Sequence, residues 1–137
     1  MHMIYDFLNK PRRIKSQIVI AEKDLADLRL SMYPSAVRYD TDKVQSSPSD
    51  PIPRYAERVD ELQRRIKRLQ LQYLEARDEI ANVALHLEYK QQEVIMLRYV
   101  ARCSWRMIAF ELGCTEDWVF KLHRKAVKNL EKKFPDL

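Results

Sequence analysis

The chain has 137 residues, of which 33% are charged and 46% hydrophobic, and a formal net charge of +5. The hydrophobic share excludes wholesale disorder, and the length suits one domain or two small ones. A single glycine leaves few places for the tight turns that strands need, so the fold class expected is all-α.

Residues 1–9, MHMIYDFLN, form a small apolar group ending in Asn9, a capping residue type, and Pro11 fits the first turn of the helix expected to follow. Ile14, Ile18, Ala21, Leu25, Leu28 and Met32 then recur at alternating gaps of four and three, which is a heptad seam. The charges between them suit water rather than a ligand. Pro34 pushes Tyr33 out of the helical region and closes the helix. Residues 34–53 hold four prolines among Ser, Asp and Thr, with no apolar period, and read as a flexible linker.

A longer helix is expected from about Pro53, with Val59, Leu62, Ile66, Leu69, Tyr73, Ala76, Ile80, Val83 and Leu87 as its seam. Two heptad helices joined by a loop predict an antiparallel helical hairpin, a short coiled coil, over residues 1–88. At 1.5 Å per residue the helices measure roughly 33 Å and roughly 50 Å, so the second outruns the first. Ile80, Val83 and Leu87 then need cover from Ile4, Phe7 and Leu8, from the C-terminal residues, or from a second copy in a homodimer. The basic cluster Arg64-Arg65-Lys67-Arg68 alternates with acids such as Asp60 and Glu61, the pattern of a solvated helix exterior.

A break is expected between Ala84 and Lys90, although no Gly or Pro marks it. Helix 91–101 would then pack Val94, Ile95, Leu97 and Val100 onto a helix-turn-helix as its third helix. Trp105, Ile108, Ala109 and Leu112 share one face of the next short helix. Gly113 sits where a left-handed residue ends a helix, and Thr115 follows as an N-cap with Glu116 and Asp117 in the first turn behind it. The final helix places Val119, Leu122, His123, Ala126, Leu130 and Phe134 on one face. Lys121, Arg124, Lys125, Lys128 and Lys132 lie opposite. Helix, short turn with Gly, helix and a cationic outer stripe are the parts of a DNA-binding helix-turn-helix over residues 89–137.

These residues resemble region 4 of the sigma-70 class of bacterial sigma factors. The likeness is carried by Glu93-Val94-Ile95-Met96-Leu97-Arg98-Tyr99, Ser104-Trp105-Arg106-Met107-Ile108-Ala109 and Leu112-Gly113-Cys114-Thr115, in that order, then by Val119, Leu122, His123, Ala126 and Leu130. The layout is similar to the small sigma-like late-transcription regulators of phages and prophages. The resemblance implies contact with promoter DNA and, as a second partner, RNA polymerase. It places base-contacting residues at Glu116, Asp117, Trp118, Phe120 and Lys121, where several sigma factors carry arginines and this chain carries acids and aromatics. For Glu116 and Asp117, reading a cytosine amine and capping the helix dipole both stay open.

Residues 90–137 carry ten Lys and Arg against six Asp and Glu, whereas residues 54–89 carry seven of each. The positive excess therefore sits on the part expected to meet double-stranded DNA. Trp118, Phe120 and Lys121 would enter the groove, Thr115 would cap the recognition helix, and Ser104, Arg106, Arg124, Lys125 and Lys128 would neutralise phosphates. The function expected is that of a sigma-like transcription regulator at a small set of promoters. The alternative is a phage DNA-packaging protein like a small terminase subunit, whose seam would build a large ring. Phosphate loops, nucleophile motifs and metal-ligand spacings are missing, so neither an enzyme nor a cofactor is expected. Cys103 and Cys114 read as packing thiols in a reducing cytosol. With no apolar stretch of membrane-spanning length and no signal-peptide core, the expected location is cytoplasmic.

Overall fold

The computed structural model describes residues 3–32 and 51–137. Five helices follow one another there: α1 Met3–Met32, α2 Pro51–Ala84, α3 Tyr89–Ile95, α4 Trp105–Leu112 and α5 Glu116–Lys133. A π turn, Met96–Val100, extends α3. No strand occurs among the described residues, so the all-α class holds. None of the helices is long and apolar enough to cross a membrane.

Two helix starts differ from the sequence expectation, and both involve proline. Pro11 lies inside α1 rather than at its first turn, and Asn9 does not cap but donates from Nδ2 to the Tyr5 carbonyl at 2.9 Å. Ile4, Leu8 and Pro11, spaced as one helical stripe, are all buried. That burial outweighs the one backbone donor that proline lacks. The second helix begins at Pro51, ahead of Pro53. Both prolines then fall in the first turn, whose N–H groups have no partner within the helix anyway. The rest of the expected linker, and the helix end expected at Tyr33-Pro34, lie outside the described residues.

The chain divides into two compact units, Met1–Arg13 with Gln72–Leu137, and Ile14–Leu71. This division departs from the boundary expected at 88/89. In the unit Ile14–Leu71, the seam residues Ile14, Ile18, Ala21 and Leu25 of α1 and Leu62 and Leu69 of α2 are buried. Leu28, Met32, Val59 and Ile66 are half-buried. Arg58 pairs with Asp24 at 3.1 Å, joining the later part of α1 to the first turns of α2 as antiparallel neighbours do.

The other unit explains the shifted boundary. Its core gathers Ile4 and Leu8 from α1, Ile80 and Ala84 from α2, Leu87, Ile95 and Tyr99, and Ala126, Val127 and Leu130 from α5. Ile80, Val83 and Leu87 are thus covered by α1 running on through Ile4 and by α3 and α5 together. The first residues of the chain are part of the C-terminal core and not merely a stalk.

The expected break after Ala84 is present without Gly or Pro. The Leu87 N–H donates to the Ala84 carbonyl at 3.0 Å, and the Leu87 side chain is buried in the corner so formed. Lys133 Nζ donates to the His86 carbonyl at 2.7 Å, while Phe134 meets the His86 ring edge-on at 5.1 Å. Asn129 Nδ2 donates to Oε1 of the buried Gln91 at 2.8 Å. The last turns of α5 are fastened by these bonds to the α2–α3 corner and to α3.

Candidate nucleic-acid interface

The two C-terminal helices start and stop by local chemistry. Ser104 is extended, at φ −71° and ψ 160°, and its Oγ accepts from the Met107 N–H at 3.1 Å. At the other end of α4, Gly113 takes φ 66° and ψ 39°, a left-handed state open to glycine without a Cβ clash against its own backbone. The Gly113 N–H then donates to the Phe110 carbonyl and the Cys114 N–H to the Ala109 carbonyl, at 3.2 and 3.0 Å. Thr115 Oγ1 accepts from the Trp118 N–H at 3.1 Å, which starts α5 at Glu116. Both hydroxyls therefore have a capping task, and for Ser104 this stands beside the phosphate contact expected of it.

The two faces of α5 differ sharply. Val119, Leu122, His123, Ala126, Val127 and Leu130 are buried. Val119 and Leu122 join Val94, Ile108 and Ala109 in a second core shared by α3, α4 and α5. Lys121, Arg124, Lys125 and Lys128 are exposed, and none of them pairs with a carboxylate among the described residues. Glu116, Asp117 and, on α4, Arg106 are exposed as well. The Trp118 ring is 45% exposed, with Lys121 Nζ 5.8 Å from its centroid. Phe120 is half-buried because its ring meets Trp105 edge-on at 5.3 Å. Of the two aromatic residues expected in the groove, Trp118 is thus the open one, and Phe120 is partly committed to packing.

Behind this surface lies an arrangement that the sequence reading missed. Tyr99 Oη stands 2.6 Å from Nε2 of His123, and both residues are buried. Trp105 packs edge-on against the His123 ring at 4.8 Å. The Arg98 guanidinium lies 4.2 Å over Trp105 and donates from Nη1 to the Cys103 carbonyl at 3.1 Å. Burial, followed by the nearby charges of Arg98 and Arg124, pushes the His123 imidazole down to about 4. Burial, with Tyr5 acting in the same direction and Arg98 against it, pushes the Tyr99 phenol up to about 12. At neutral pH two uncharged groups share one buried hydrogen bond, which fixes the second turn of α5 against the π turn. The seam pattern placed His123 on the apolar face correctly, but its partner comes from a stretch that reads as ordinary helix.

Cys103 and Cys114 are free thiols, half-buried against the helix-turn-helix core. Comparison with protein-family models, with curated proteins and with solved structures gave no match to this chain.

Proposed function

We propose that this chain is a sequence-specific DNA-binding transcription regulator, sigma-like in its C-terminal third, that works with RNA polymerase at a small set of phage or prophage promoters. The observation that carries the reading is the face of α5 bearing Lys121, Arg124, Lys125 and Lys128, exposed and without carboxylate partners, on a helix whose opposite face is core. A helix held in this way meets an anionic surface as a rigid body. It loses little conformational entropy on binding, so its charges act on phosphates at full effect.

In this reading Trp118 and Lys121 reach the groove edges. Glu116 and Asp117 serve the helix dipole and are placed to accept from a cytosine amine. Arg106, Arg124, Lys125 and Lys128 meet phosphates, and Ser104 and Thr115 hold the two helices at the angle their caps define.

Selecting bound fragments from a random duplex pool tests the reading. Enrichment of one sequence motif, lost in Trp118→Ala with the fold intact by circular dichroism, supports it. Recovery of fragments with no common motif counts against sequence specificity, and no recovery counts against DNA binding altogether.

A further inference from the structure

Beside the helix-turn-helix, and within the same compact unit, an open recess of about 500 Å³ is lined by α1, the π turn and the loop before α4. Three of its lining residues are arginines, Arg12, Arg98 and Arg102, and a fourth is Ser104. No acid lines it, and none of the three arginines has a carboxylate partner among the described residues. Three like charges around one concavity repel one another, and without an anion nothing offsets that repulsion locally.

The donors are partly arranged in advance. Arg98, which lines the recess, is held by the Cys103 carbonyl and by stacking on Trp105, so its guanidinium has little freedom left to lose. Ser104 Oγ already accepts from the Met107 N–H, which leaves its own proton to donate. Arg102 has φ 60°, a left-handed conformation that is costly for a side-chain-bearing residue. A glycine would relieve that cost, yet the position holds an arginine whose side chain lines the recess.

We propose that this recess is a binding site for the phosphate or diphosphate group of a small ligand. One guanidinium fork satisfies a carboxylate, which has two oxygens. Three forks and a hydroxyl match the three terminal oxygens and the double charge of a phosphoryl group. The volume lies within the range of small-molecule sites, and a concave shape suits a compact anion better than the convex backbone of a duplex. The assignment does not depend on α5 meeting DNA.

Isothermal titration of the full chain with pyrophosphate in a chloride buffer is the test. The wild-type chain is expected to bind one equivalent, and the double variant Arg12→Ala/Arg102→Gly to bind about tenfold more weakly or worse. Glycine at 102 keeps the left-handed backbone available, so an unchanged or raised Tm separates the lost charge from lost folding. Absence of binding in the wild-type chain overturns the proposal, as does equal affinity in the double variant. A short duplex added as competitor separates the two sources of phosphate. No displacement of pyrophosphate supports a small ligand. Displacement, with duplex affinity falling in the double variant as far as pyrophosphate affinity does, gives the recess to the DNA backbone and overturns the assignment.

Discussion

Two helical stretches of this protein are rich in cations, and they differ in spacing and in the acids beside them. On α2, Arg64, Arg65, Lys67 and Arg68 pack four positive charges into five residues; on α5, Lys121, Arg124, Lys125 and Lys128 spread four over eight. By density α2 is the stronger candidate for nucleic acid. Yet Arg64 pairs with Asp60 at 2.8 Å, and Arg58, nearly two turns earlier, reaches both Glu61 and Asp24, whereas Arg65, Lys67 and Arg68 form no ion pair among the described residues. On α5 the only acid four residues before a lysine is Asp117, and Lys121 forms no ion pair with it but lies over the Trp118 ring. What sets α5 apart is therefore a wholly unpaired cationic face on a helix whose opposite face buries six residues.

Substitutions can break or sharpen this contrast, and the largest effect is expected on the buried face of α5. Leu130→Ala should lower stability by about 2–5 kcal/mol in chemical denaturation, because Leu130 is fully buried among residues from four segments. The triple variant Lys121→Ala/Arg124→Ala/Lys128→Ala should weaken duplex binding by about 100-fold near physiological salt, measured by fluorescence anisotropy, with Tm nearly unchanged. Removing all four cations of Arg64–Arg68 in the same assay should change affinity less than about twofold, since in this account the phosphate contacts are made from α4 and α5. A loss on α2 as large as that on α5 would erase the contrast.

Acid should act through His123. Its folded pKa of about 4 lies below the ordinary 6.5, so the unfolded chain takes up this proton first as pH falls. The stability linked to it is complete above about 6.5, is lost progressively toward about 4, and amounts to on the order of 1–2 kcal/mol after allowance for solvent screening. His123→Gln should flatten the fall of Tm across this window, and an unchanged slope would remove His123 from the account. Thr115→Ala is expected to cost about 1 kcal/mol through the lost cap on the Trp118 N–H.

What the sequence disclosed and what it hid follow the range of the interactions. Gly113, Thr115, the acids at 116 and 117 and the seam positions act within one or two helical turns, and each could be read from its neighbours. The start of α1 was misplaced because the outcome for Pro11 is decided by burial of Ile4 and Leu8 against residues more than seventy positions away. The π turn carries no Gly or Pro, and it governs where Tyr99 and Arg102 go. Arg98 and Arg102, four apart, could have been noticed as a pair. Arg12 joins them only because α1 runs on into the C-terminal core, and no local pattern encodes that.

The central claim is that unpaired cations on a rigid α5 meet DNA phosphates, and the salt dependence of duplex binding tests it most directly. With four or five phosphate contacts, log K should fall against log salt with a slope of roughly −4, and removing Lys121, Arg124 and Lys128 should bring that slope nearer to zero by about 2, for the two phosphate contacts among them. A slope near zero in the unaltered chain, or one that the three substitutions leave unchanged, would contradict it.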